Sequence, residues 1–185
     1  MTRRIFLLLV CILAAGANAS AQSKSTVVIL VRHAEKGTAP ANDPPLTEAG
    51  VARAKALAAA LTNTGVQAVI TTELTRTRET ARPLVEARGL SIESIHTGPA
   101  EAHVRLVADA VRAHAGQTVL VVGHSNTIPA IIAALGGPKL PDICDSQYSN
   151  FYVLILDGAK KADLVVSSYG APSPDPATTC PNSMK

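Results

Sequence analysis

Thr26-Val27-Val28-Ile29-Leu30-Val31 runs directly into Arg32-His33-Ala34-Glu35-Lys36. The first six residues are short of polar groups, rich in β-branched side chains and bounded by polar residues. A run of that kind reads as a buried strand. It delivers an arginine and a histidine to its carboxyl end, the edge at which open α/β sheets bind ligands.

Downstream, strand and helix signals alternate. After a loop holding Pro40, Asp43, Pro44 and Pro45, Thr47 is placed to cap a helix reaching about Leu61. Ala54, Leu57, Ala58 and Leu61 fall on one face of it. Val66 to Thr71 reads as a second strand. A helix over roughly Glu73 to Ala87 follows, which Pro83 should kink or split. Ser91 to Ile95 is a weaker strand signal. The next helix, about Ala100 to Ala115, carries an apolar stripe of Val104, Val107, Ala108 and Val111. Thr118 to Val122 is the clearest strand, and Asn126 is placed to cap a helix ending at Leu135, with Pro129 tolerated in its first turn. Phe151 to Leu156 and Asp163 to Ser168 read as strands joined by a turn at Asp157-Gly158. Alternation of this kind predicts one three-layer α/β/α domain around a mostly parallel sheet. No repeat or second domain is visible.

Upstream, Arg3 and Arg4 precede an apolar stretch from Ile5 to Gly16, and small residues at Ala17, Ala19, Ser20 and Ala21 offer cleavage sites. That order is a secretory signal peptide, so residues 1–21 are expected to be removed and the protein to be periplasmic or secreted. The apolar run falls short of the roughly 20 residues a membrane span needs, so no stable membrane anchor is expected. Thr2-Arg3-Arg4-Ile5-Phe6-Leu7 loosely resembles a twin-arginine signal, which leaves the export route open. Losing Arg3 and Arg4, and no acidic residue, takes the formal net charge from +3 to +1. With that charge, and only Tyr148, Phe151, Tyr152 and Tyr169 left as aromatics, nucleic acid is not an expected partner.

The remainder has the size of one domain, residues 22–169, with a tail over 170–185 rich in Pro, Ser and Thr. Cys144 and Cys180 survive cleavage, and in an oxidising compartment a pair is read as a disulfide. It would staple the tail to the body, contributing about 4 kcal/mol as an upper figure in the chain-entropy model.

A second histidine, His124, follows the strand Thr118 to Val122 as His33 follows the first. Arg32 stands beside His33, and Arg76 lies in Leu74-Thr75-Arg76-Thr77-Arg78-Glu79-Thr80-Ala81 at the start of a helix. Guanidinium groups bind phosphate oxygens through paired donors and keep their charge. Ser125-Asn126-Thr127 adds a helix N-terminus, which also favours anions. Two imidazoles and two guanidiniums in one cleft suit a dianion. Residues two apart on a helix point to different faces, so one phosphate cannot easily recruit both Arg76 and Arg78, and Arg82 shares the face of Arg78.

The Arg-His-Ala-Glu opening, Leu46-Thr47-Glu48-Ala49-Gly50, the Leu-x-Arg-x-x-Glu-Thr-Ala helix and Gly123-His124-Ser125 together resemble the histidine phosphatase superfamily, the phosphoglycerate-mutase-like fold. The resemblance runs from about Val27 to Leu156. It implies that His33 is the nucleophile and that Arg32, Arg76 and His124 hold the transferred phosphoryl group, with a small phosphorylated substrate and no metal or other cofactor. Imidazole suits this role because a covalent intermediate splits one hard displacement into two easier ones. The nearby arginines disfavour a protonated His33, and its other ring nitrogen needs an acceptor to fix the tautomer.

A leaving alcohol requires a proton, and one carboxyl group commonly serves both half-reactions. The resemblance points to Glu101 as the donor; Glu35 is its rival. If neither acts, substrates with good leaving groups, such as phosphohistidine or phosphoanhydrides, are favoured. Export points away from a mutase. Two other classes compete with a phosphomonoesterase. One is a zinc site drawn from His33, Glu35, Glu101, His103 and His124, which Arg32 and Arg76 would oppose. The other is a cell-envelope protein that binds or senses a phosphorylated ligand without turning it over. His96 and His114 are expected at the surface, and the segment Pro138 to Tyr148 either walls the pocket, with Asp142, Asp145 and Gln147 shaping substrate choice, or is a solvated loop.

Overall fold

The structure, a computed structural model, describes residues 24–158 and 161–174. The expected signal peptide and Cys180 lie outside the described residues.

Among the described residues four strands run parallel: β1 (Thr26–Arg32), β2 (Val66–Thr72), β3 (Ile92–Ile95) and β4 (Thr118–Gly123). Two more, β5 (Asn150–Leu156) and β6 (Asp163–Ser168), complete one sheet in the order β3-β2-β4-β1-β5-β6. β5 runs antiparallel to β1 and to β6, so the sheet is mostly parallel, as the alternating pattern predicts. Among the described residues four helices, α1 (Glu48–Ala60), α2 (Thr75–Arg88), α3 (Ala100–Ala113) and α4 (Thr127–Ala134), cover it.

Period-two alternation distributes the apolar side chains to two cores. Val28 and Leu30 join Ile70, Val121, α3 and α4 on one face, whereas Ile29 and Val31 join Val69, Leu120, Leu57 and Leu84 on the other. The pairs α1–α2 and α3–α4 therefore lie on opposite faces. That placement follows from connectivity: β1→β2→β3 proceeds towards one edge and β3→β4 returns, and right-handed crossovers send those helices to opposite sides. β3 is the outer strand and is poorly buried, which accounts for its weak sequence signal.

Three local expectations change. α2 runs as one helix through Pro83, because Thr77, Thr80, Ala81 and Leu84 anchor it to the core on both sides of the proline. Asn126 makes no capping hydrogen bond. Thr127 Oγ1 instead accepts from the His124 N–H at 3.0 Å, which fixes the backbone before the helix rather than capping it. The third concerns Glu35, the rival proton donor, which the buried Arg53 of α1 grips with Nε to both carboxylate oxygens at 2.9 and 3.0 Å and Nη2 at 2.8 Å.

The segment after β1 is pinned along its length. Thr47 N–H donates to the Glu35 carbonyl, Gly37 N–H to Pro45, and Ala34 N–H to Thr80 Oγ1. Helix α1 approaches so closely that a Cβ built on Gly50 would stand 2.1 Å from the Glu35 carbonyl oxygen. Because that obstacle is backbone, Gly50→Ala should separate the helix from the segment. We expect a loss of about 1–3 kcal/mol, typical of overpacking, read as a lower urea midpoint. An unchanged midpoint would mean that the two elements part freely.

Candidate active site

The in-register pairing of β1 with β4 sets Arg32 opposite Gly123, and the His33 N–H continues the ladder to the Gly123 carbonyl at 2.9 Å. His33 and His124 thus leave adjacent strand ends together, their rings 5.4 Å apart and edge to face. The third neighbouring strand end contributes Thr72, whose Oγ1 lies 3.4 Å from His124 Nε2 and 2.8 Å from Thr77 Oγ1.

His33 is buried, and its Nδ1 lies 2.8 Å from the Ala34 carbonyl oxygen. A carbonyl only accepts, so Nδ1 carries the hydrogen and the Nε2 lone pair is free. Burial pushes the imidazole down to about 3, against the Ala34 hydrogen bond, with smaller downward pushes from Arg32, His124 and Arg76. Desolvation, more than the arginines, keeps this histidine neutral. His124 is lowered to about 4, again chiefly by burial and then by Arg76, His103 and Arg32.

Arg32 is held almost entirely by backbone. Its Nη1 donates to the carbonyls of Cys144, Asp145 and Gln147 at 2.9, 3.0 and 3.1 Å. Its guanidinium carbon sits 4.2 Å from the centre of the Tyr148 ring. The Asp145 carboxylate is only 3.4 Å from Nη2 but almost wholly solvated, so it adds little. Segment 144–148 therefore serves as a cradle for Arg32. Ser173 Oγ accepts from the Tyr148 and Ser149 N–H groups, and Gln147 Nε2 donates to the Pro174 carbonyl, so the start of the tail steadies that cradle.

Arg76 is positioned from the other side. Asp43, in the proline-rich loop, accepts from the Thr75 N–H at 3.0 Å and its hydroxyl at 2.7 Å, capping α2 in place of Leu74. It also stands 3.8 Å from Arg76 Nη1. Burial lowers the Arg76 guanidinium, while Asp43 and Glu73 raise it and Arg32 lowers it. Both arginines keep a buried Nε with no hydrogen-bond partner. Two neighbouring cations with unmatched buried donors are a costly arrangement unless an anion completes it. Arg78 is exposed, and Arg82 is exposed beside Glu79.

The carboxylates are placed otherwise than their proximity in sequence implies. Glu35 is committed to Arg53. Glu101 is exposed on the first turn of α3. A cleft beside His124 is lined by Arg76, Thr97, His103, His124, Asn126 and other residues; neither His33, Arg32 nor a carboxyl group is among them. Glu73 lies nearby, but burial is outweighed by hydrogen bonds from the Thr97 hydroxyl and N–H, which hold its carboxyl below the usual range. The α4 terminus is also a poorer anion site than its position implies. Its Ile128 N–H turns back to the His124 carbonyl, and Pro129 has no N–H. No group of three or more ligating His, Cys, Asp or Glu side chains converges among the described residues.

Sequence reading missed Asp43, Tyr148, Thr72 and the carbonyls around Arg32, and admitted His103 only as a metal ligand. His103 lies four residues before Val107 and eight before Val111, in register with the buried stripe of α3. That periodicity was the available signal.

Residues 28–97, which include His33 and Arg76, match the histidine phosphatase superfamily, branch 1. No curated protein matches the chain significantly. Among solved structures, a Nakamurella multipartitia protein assigned as phosphohistidine phosphatase SixA is 28% identical, with a TM-score of 0.57, covering 81% of this chain and 99% of its own. An Agrobacterium tumefaciens protein with the same assignment is 26% identical, with a TM-score of 0.56, covering 80% of this chain and 99% of its own. A SixA protein histidine phosphatase complexed with tungstate shares the fold at 18% identity and a TM-score of 0.61, over 77% of this chain and 96% of its own. Over residues 28–97 the chain is thus similar to the histidine phosphatase superfamily, and over about four-fifths of its length it shares the fold of these solved structures.

Proposed function

We propose that the protein is a phosphatase that passes a phosphoryl group to His33 and then to water, without a metal. One observation carries this reading. The buried Arg32 and the half-buried Arg76, each with a buried Nε–H lacking an acceptor, stand around an imidazole held as the free base with its Nδ1–H engaged. A phosphoryl dianion would satisfy those donors and present phosphorus to the free Nε2 of His33. Arg32, Arg76 and His124 would then stabilise charge on the transferred oxygens, the main source of catalysis in phosphoryl transfer.

The substrate is a small phosphorylated compound: a phosphomonoester, or a phosphohistidine or phosphoanhydride. The 28%-identical relative, assigned as a phosphohistidine phosphatase, supports the latter group. So does the placement of the two candidate carboxyl donors, Glu35 paired with Arg53 and Glu101 exposed on α3, since such leaving groups ask least for protonation. Export to the periplasm or beyond belongs to the same proposal, supported by the basic and apolar pattern of residues 3–21. A Cys144–Cys180 bond would then reinforce the tail that steadies the Arg32 cradle. No helix among the described residues is long and apolar enough to cross a membrane.

Acid-quench labelling with a phosphate-labelled aryl ester should trap phosphohistidine at position 33, and His33→Ala should lower turnover about 10³-fold or more. Binding of inorganic phosphate without any labelling or turnover would instead favour a phospho-ligand-binding protein.

The lowered imidazoles fix the pH response. With an ester whose leaving group needs no proton, kcat/KM corrected for substrate ionisation reports the free enzyme. It should stay level from pH 7 to about 5 and decline only towards 3–4, as His124 and His33 gain protons. A decline centred near 6.5 would show that the essential imidazole is not the buried one.

A further inference from the structure

Resting on the phosphatase reading and deepening it, we infer that His103, rather than a carboxylate, passes the proton to and from the leaving group. His103 is 3% exposed on the first turn of α3 and lines the cleft shared by Arg76 and His124. Its Nδ1 lies 3.2 Å from the His96 carbonyl oxygen. That acceptor keeps the hydrogen on Nδ1 in both protonation states, so Nε2 is the nitrogen that exchanges a proton. No protein hydrogen bond to Nε2 occurs among the described residues. His103 also lies close enough to His124 to lower its basicity, which sets it beside the phosphoryl-binding group.

The charged and titratable groups around it are Arg76 on α2, His124 after β4, and Glu73 after β2, tied to Thr97 and His96. Glu73 is engaged as an acceptor by the Thr97 N–H and hydroxyl. Glu101 is two residues away on the same helix and exposed. Residues two apart on a helix point to different faces, so burial of His103 turns Glu101 away from the same spot.

The steps balance. His33 Nε2 attacks phosphorus while the bond from phosphorus to the leaving oxygen breaks, and that oxygen takes the proton from His103 Nε2. Water then attacks the phosphohistidine and gives its proton to His103 Nε2. The N–P bond breaks, its electron pair returns to His33, and phosphate leaves.

The test compares phenyl phosphate, a poor leaving group, with 2,4-dinitrophenyl phosphate, a good one, in the parent protein and in His103→Gln, His103→Gly and Glu101→Gln. The readouts are the rate of phosphohistidine formation and its lifetime. His103→Gln should slow labelling by phenyl phosphate about 10²–10³-fold, the usual range for general acid catalysis, and leave labelling by the dinitrophenyl ester within about threefold. The trapped phosphoenzyme should also persist longer. Added imidazole should restore phenyl phosphate turnover to His103→Gly. Equal loss on both substrates, no loss on either, or a leaving-group-dependent loss in Glu101→Gln instead would overturn the role of His103. A parent protein that never labels would overturn the phosphatase reading itself.

Discussion

The parallel pairing of β1 with β4 organises everything else in the molecule. Side-by-side strands of one direction end at one edge, and each here is followed directly by a histidine. The ladder passes one residue beyond β1 to hold the His33 backbone, so the two rings meet with little freedom. Holding reactive groups in place before a substrate arrives lowers the entropic part of a barrier. Strand ends do this better than a loop, because main-chain hydrogen bonds and two apolar cores fix them at once.

Around that pair, the site is built from unlike kinds of support. Arg32 relies on three carbonyl oxygens that cannot change charge, whereas Arg76 relies on helix α2, itself capped by a carboxylate 32 residues earlier in the chain. Thr80 links the two halves, accepting from Ala34 beside His33 and donating to the Arg76 carbonyl. Because the arginines repel one another and bury donors, their arrangement carries unfavourable electrostatics that a bound anion would relieve.

What the sequence reveals and what it hides follow one physical division. The apolar runs that make β1 and β4, and the stripes of α1 and α3, are local patterns, so the sheet and the meeting of His33 with His124 are legible from them. Helical spacing separates Arg76 from Arg78, but the resemblance to the family, not the spacing, selects Arg76. The Arg32 cradle is not, because any residue supplies a carbonyl oxygen and only the folded path brings Cys144, Asp145 and Gln147 around one guanidinium. The pairing of Arg53 with Glu35 is hidden for a related reason. A carboxylate two residues from a nucleophile looks catalytic until a cation 18 residues away claims it. The weight of burial in keeping His33 neutral is likewise a property of the packed state, invisible before the cores close around it.

The same burial has a cost in acid. An unfolded chain takes up protons on His33 and His124 as pH falls below about 6.5, whereas the folded chain leaves both rings uncharged until about 3 and 4. Over that interval the unfolded state binds more protons, so protonation favours unfolding, and stability rises again as pH increases. Both imidazoles therefore pull conformational stability down across the range in which they remain competent for chemistry. The acid limit of this protein is thus set by its fold as well as by its nucleophile.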